Sequence, residues 1–391
     1  MKNRMWIEKI SIVASLLAVA GSAFAQTDFT IEGTAKRLGE IPPIWISMSG
    51  FTGEADEVLR FDLYVQGFNF TNTDGAQYIL TGSNNGNLQG RVTDKFNKGT
   101  LVSKAYTGGS LRRQAHTFAD DFVEALGRKG IGKTKIAFKS DTGPNSEIMV
   151  ADFDGFGAQS VTRDNSIVAA PAWVPQKFAL YYTSYKQGNP NIFYHDLATG
   201  QRQPFAHFPG LNTSAAVSPN GGRVAMILSK GGSPDVYTMN ADGGGLKRLT
   251  MTREDESSPC WTADGESIVF ATKLNERRSL CKISAGGGPV QRIGLGGVSN
   301  PTEPDCSPDG KWIAFTRQAR DFEICVVPVG GGEATILVSG ADPSWAPNSR
   351  TLVFTREQNH RRYLSLLDVP TKQVKDVTRI SGSSSQPSWA R

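Results

Sequence analysis

Val217-Ser-Pro-Asn-Gly-Gly-Arg-Val-Ala-Met226, Trp261-Thr-Ala-Asp-Gly-Glu-Ser-Ile-Val-Phe270 and Cys306-Ser-Pro-Asp-Gly-Lys-Trp-Ile-Ala-Phe315 are three versions of one phrase. Each closes an extended segment, turns through Asn-Gly, Gly-Gly or Asp-Gly, and opens an apolar triplet. The turn residues are those that tolerate the positive φ of a short hairpin. The triplets begin at Ile136, Leu180, Val224, Ile268, Ile313 and Leu352, in steps of 44, 44, 44, 45 and 39 residues. A second triplet follows each after 11 or 12 residues, at Ile148, Ile192, Val236, Leu280, Ile324 and Leu364. A period of this length belongs to propeller blades, and here the period and its internal phase agree.

Trp173, Trp261, Trp345 and Trp389 mark a further strand of the repeat, with Val217 and Cys306 at the equivalent places. The unit at Ile136 lacks this strand, whereas Gln386-Pro387-Ser388-Trp389 begins a unit that the chain never finishes. The two fragments complete one another. The predicted fold is therefore mainly β, a six-bladed propeller over 134–391 closed by its C-terminal strand, which removes two bare sheet edges.

The start of the chain has another texture. Lys2 and Arg4 precede an apolar run from Ile10 to Ala20, and Ala23-Phe24-Ala25 is a small-x-small cleavage site. Residues 1–25 read as a signal peptide cut between Ala25 and Gln26, with no lipoprotein cysteine after it. The run is too short to span a bilayer, and no longer one follows. The expectation is a soluble exported monomer, periplasmic in a two-membrane bacterium.

Residues 26–133 read as a small α/β domain that begins with a leading arm. Ile41 to Met48 and Gln77 to Thr81 look like strands, and Phe61 to Phe70 fits a strand or a helix. Leu111, Ala115, Phe118, Phe122 and Leu126 form an apolar helical stripe, with Arg112, Arg113, Asp120, Asp121 and Glu124 on the other face. Ser110 is placed to cap this helix and Gly127 to stop it.

Composition excludes more than it assigns. Without the signal peptide the chain carries 39 basic and 36 acidic residues, a weak excess that argues against nucleic acid as a partner. Cys260, Cys281, Cys306 and Cys325 contain no CxxC pair. An exported chain permits disulfides, and spacing leaves bridges and buried thiols equally open. Gly127 to Thr134 matches the phosphate-loop pattern GxxxxGK[ST], but a helix precedes it and a strand follows. No helix N-terminus therefore meets an anion, and the segment reads as a flexible linker. Four histidines without an HExxH, and no GxSxG, support no catalytic residue, metal or cofactor. Asp152 and Asp154 read as turn geometry, and Glu254 to Glu256 as an acidic loop at one mouth of the channel.

Tyr106-Thr-Gly-Gly-Ser-Leu-Arg-Arg-Gln-Ala-His116 and its continuation to Phe138 resemble the junction of TolB proteins, as the Cys306 to Phe315 and Pro343-Ser-Trp-Ala-Pro347 stretches resemble their blades. The resemblance implies a non-enzymatic periplasmic component of the Tol-Pal system, serving outer-membrane integrity and constriction at cell division. It implies two partners: a Pal-type lipoprotein at the propeller mouth, and a TolA-type inner-membrane protein at the mature N-terminus. By position the mouth residues are Leu211, Asn212, Ser214, Glu256, Ser257 and Glu303, with Leu211 standing where relatives carry a histidine. The arm residues are Gln26, Phe29 and Ile31, apolar and polar in alternation as in an added strand. The rival readings are a TolB-like propeller holding another envelope protein or a glycan, and a propeller hydrolase or lyase.

Overall fold

The computed structural model describes residues 38–391. The cleavage site at Ala25 and Gln26 and the arm residues Phe29 and Ile31 lie outside the described residues.

The first layer is a five-stranded sheet in the order β2-β1-β3-β4-β5, made of β1 (Ile44–Ser49), β2 (Phe68–Phe70), β3 (Tyr78–Ser83), β4 (Leu88–Asp94) and β5 (Thr100–Tyr106). Two helices, α1 (Gly53–Tyr64) and α2 (Leu111–Ala125), cover one face of it. Leu59 and Leu63 of α1 and Phe118 and Phe122 of α2 pack there on Ile46, Leu80, Leu88 and Val92. The ambiguous Phe61 to Phe70 stretch is half of each candidate. Its first four residues finish α1 and its last three form β2, because Gly67 at φ +88° breaks the chain between them. The Ser110 hydroxyl accepts the Arg113 N–H at 3.2 Å, and Gly127 follows α2 at φ +73°.

The polar face of α2 differs from its sequence reading. Arg112, His116 and Asp120 are buried, because this face is the seam to the propeller. Arg112 pairs with Asp154 in the first blade and with Glu54 of α1 at 3.4 Å. His116 Nδ1 lies 2.6 Å from Asp62 of α1. Burial pushes the Asp62 carboxyl up against the pull of His116. Asp154 is thus an ion-pair partner as well as a turn residue.

From Lys135 onward six four-stranded sheets stand around an axis. Blade 1 combines Ser383–Trp389, the innermost strand, with Lys135–Thr142, Asn145–Asp152 and Gln159–Ser160. The other innermost strands, blades 2 to 6 in order, are Val168–Trp173, Asn212–Val217, Ser257–Trp261, Pro301–Cys306 and Ala341–Trp345. The two triplets of the repeat fall on the second and third strands of every blade, where Val, Ile and Phe fill the space between sheets. The tail closes the ring: Trp389 pairs with Ile136 and Ser388 with Ala137, antiparallel.

The segment matching the phosphate loop is not slack. Gly132 N–H donates to Asp120 at 2.9 Å, and a side chain on Gly130 would overlap Asp120. Thr134 Oγ1 accepts the Trp389 indole N–H at 2.8 Å. Phe61, Tyr64 and Val65 share one apolar cluster with Ile131, Ile136, Phe153, Val353 and Trp389. The helical layer therefore rests on blades 6 and 1, at the end where their second strands begin.

Candidate functional site: the channel and its open mouth

Every innermost strand carries the same irregularity. Its register against the second strand skips two residues, and the first of the two has left-handed φ: Ala170 (+50°), Ser214 (+54°), Ser258 (+50°), Glu303 (+52°), Asp342 (+53°) and Gln386 (+51°). Each such residue costs on the order of 1 kcal/mol or more outside glycine. Bulges bend a strand and re-aim its side chains, and here six of them line one cavity of about 570 Å³ on the axis. The ring has a sequence signal: proline follows five of the six residues, at Pro171, Pro259, Pro304, Pro343 and Pro387.

The ring is not uniform. Over one arc each long side chain reaches the backbone of the next blade. Glu303 accepts the Asp342 N–H at 3.1 Å, Asp342 accepts the Gln386 N–H at 3.2 Å, and Gln386 accepts the Ala170 N–H at 3.0 Å. Over the other arc stand Ala170, Ser214 and Ser258. Burial, then the neighbouring Asp342 charge, pushes Glu303 up to about 7. Burial also raises Asp342, against the hydrogen bonds it accepts. At neutral pH Glu303 therefore holds less than its full negative charge.

One end of the channel faces the helical layer, where Val65 O accepts the Thr351 hydroxyl at 3.2 Å and Phe68 O accepts the Gln373 amide at 3.0 Å. The loops that enter the innermost strands lie at the opposite end, away from the helical layer. The expected mouth residues are distributed unequally there. Ser214 and Glu303 stand in the ring itself. Leu211 is partly buried against the core, its N–H bonded to Ser229 Oγ at 2.7 Å. Asn212 is fully buried. It accepts the Phe208 N–H at 2.9 Å and donates to the carbonyls of Phe208 (2.8 Å) and Pro190 (3.1 Å), so it shapes its loop. Glu256 is buried too, accepting the hydroxyls of Thr252 (2.6 Å), Thr250 (2.9 Å) and Thr272 (3.1 Å). The acidic loop thus shows solvent only Asp255 and part of Glu254. Ser257 is half-buried at the rim.

Sequence reasoning missed what the open end exposes. Met251 (77 % exposed), Phe322 (49 %), Ile167 (46 %) and Tyr185 (37 %) present apolar surface. Around them Lys186, Lys230, Arg277, Arg320 and Arg361 are exposed on the second hairpin of blades 2 to 6. The basic residues that look scattered along the chain are gathered by the blade period into a collar. At least one basic residue on each second hairpin of blades 2 to 6 is the available signal.

Among the described residues no group of three or more His, Cys, Asp or Glu side chains is arranged for a metal ion, and no helix is long and apolar enough to cross a membrane. The family model described as the TolB beta propeller domain matches residues 123–391. The chain is 30% identical over 382 residues to the Tol-Pal system protein TolB of Bordetella parapertussis, covering 93% of this chain and 86% of that one. To the protein of the same name from Bordetella pertussis it is 31% identical over 328 residues, 81% of this chain and 75% of the other. Its backbone is similar to the crystal structure of TolB from Acinetobacter baumannii, with TM-score 0.80 and 21% identity, covering 90% of this chain and 98% of that chain. A six-bladed ring sealed by its tail, matched along nearly its whole length by these relatives, is accounted for in one way: this chain belongs to the TolB family.

Proposed function

We propose that the protein is a non-enzymatic periplasmic scaffold of the Tol-Pal system. It holds a Pal-type lipoprotein at the open propeller mouth and a TolA-type inner-membrane protein through the arm containing Gln26, Phe29 and Ile31. In this role it supports outer-membrane integrity and constriction during division. The observation that carries the reading is the inequality of the two channel ends. One carries the chain's own helical layer on blades 6 and 1, whereas the other exposes four large apolar side chains among basic ones. Apolar anchors within a polar rim are the usual anatomy of a protein-binding surface. Ser214, Ser257 and Glu303 are the contact positions of this reading, with Leu211, Asn212 and Glu256 setting the loops that present them.

Co-purification from envelope extract with tagged variants tests it. Ser257→Arg or Met251→Asp loses the Pal-type lipoprotein and keeps the TolA-type protein, and deletion of residues 26–34 does the reverse. Retention of both partners by every variant overturns the division of labour.

A further inference from the structure

The junctions between neighbouring blades repeat one contact, and a single junction replaces it with sulfur. At three junctions the tryptophan ending an innermost strand donates its indole N–H to a carbonyl of the preceding blade. Trp173 reaches Ser388 O at 3.1 Å, Trp261 reaches Ala216 O at 2.9 Å, and Trp345 reaches Asp305 O at 3.0 Å. In each case the acceptor lies one residue before the position equivalent to tryptophan in its own blade. Between blades 4 and 5 the tryptophan position holds Cys306, and the residue one before Trp261 is Cys260. Their sulfurs are 3.5 Å apart, so the thiols meet where the indole bond lies elsewhere. Both are buried. A bond between them needs the sulfurs to approach by about 1.5 Å. Cys281 and Cys325, on the third strands of the same two blades, show no sulfur–sulfur contact.

We infer that Cys260 and Cys306 form a disulfide that ties blade 4 to blade 5 in place of the indole bond, leaving Cys281 and Cys325 as free thiols. The inference uses export, part of the function proposed above, only to supply the oxidant, a protein carrying an exchangeable disulfide. One thiolate of the pair attacks that disulfide and expels a thiolate from it. The second thiolate then attacks the mixed disulfide, forming the Cys260–Cys306 bond and releasing the oxidant as a dithiol, with two electrons and two protons transferred. Burial raises the Cys260 thiol well above its ordinary range, so exchange belongs to the folding chain, before the blades close over the sulfurs.

The test counts thiols. The full chain, produced with its leader, is acid-quenched from the cell envelope, unfolded and treated with a maleimide. The expected mass shows two adducts, and peptide mapping under non-reducing conditions links Cys260 to Cys306. Four adducts on a chain whose mass shows the leader removed overturn the proposal, as does any other pair. Four adducts on a chain retaining its leader instead count against export. The disulfide is then decided by refolding from urea with glutathione disulfide, where the same single link is expected and its absence is fatal. The variant Cys281→Ser/Cys325→Ser gives no adduct. Cys260→Ser/Cys306→Ser gives two and melts lower than the parent without reductant, the difference vanishing with reductant. Equal melts in both conditions mean that the ring gains nothing from the bond.

Discussion

Replacing Trp389 with alanine removes the largest buried side chain of the clasp. Trp389 is 2 % exposed, bonds Thr134 Oγ1 at 2.8 Å and stacks on Phe153 with centroids 6.1 Å apart. Truncating a buried aromatic of this size costs about 3–5 kcal/mol. Thr134 is not left orphaned, because its hydroxyl also donates to Ile131 O at 2.7 Å. With an unfolding entropy near 2.1 cal/mol/K per residue over roughly 350 ordered residues, each degree of Tm is worth about 0.7 kcal/mol. The melt should therefore fall by about 4–7 °C. Trp261→Ala, at the equivalent place in blade 4, is the control, since it loses comparable packing and an indole bond to Ala216 O without touching the closure. Only Trp389→Ala, and more strongly deletion of residues 386–391, should also produce concentration-dependent association in size-exclusion chromatography, because only they bare sheet edges. A melt within 1 °C of the parent, or equal association by the Trp261 control, refutes the idea that the tail holds the ring shut.

Other outcomes follow from the buried charges and loops. Glu303 has a folded value of about 7 against an ordinary 4.5, so its contribution is complete below about pH 4.5 and is lost as pH rises through 7; by linkage this is at most about 3 kcal/mol. Urea melts should show Glu303→Gln flattening the loss of stability between pH 5 and 8. Arg112→Ala strands the buried Asp154 charge and should cost about 3 kcal/mol, whereas the double variant Arg112→Met/Asp154→Leu should recover most of it, as thermal melts of the set will show. Asn212→Ala removes a buried group with several backbone partners and should lower stability by about 1–3 kcal/mol in the same melts. Lys133→Ala should leave nucleotide titrations as flat as those of the parent, since the loop before Lys135 faces no helix N-terminus.

The repeat was legible because the interior of a propeller is periodic. Ile136, Leu180 and their equivalents each fill the same space between two sheets, so one phrase recurs, and Trp389 without a blade of its own revealed the closure. The helix stripe at Phe118 and Phe122 was legible for the same reason. What the stripe concealed was the opposite face. Arg112, His116 and Asp120 look like solvent-facing charges until a second body is laid over them, and periodicity along one helix carries no information about that body. Loop positions failed in the other direction. Asn212 and Glu256 are polar and lie in mouth loops, yet hydrogen bonding within the loop turns both inward, which only coordinates reveal. Met251 and Phe322 face solvent, where residue type alone suggests a core. The left-handed ring was visible as prolines at the blade period, a pattern of strain rather than of hydrophobicity.

The clasp also imposes an order in time. A ribosome makes the chain from its N-terminus, so the second, third and fourth strands of blade 1 exist long before the strand that completes them. Five finished sheets and one incomplete sheet must wait, with their rims unpaired, for the last few residues to arrive. A transcript cut short, or a chain stalled in transit, cannot settle into a slightly smaller version of the same body. The indole that completes the wheel also grips Thr134, at the foot of the helical layer. Sealing the circle and seating the N-terminal layer are therefore a single late event, set by the arrival of the strand that carries Trp389.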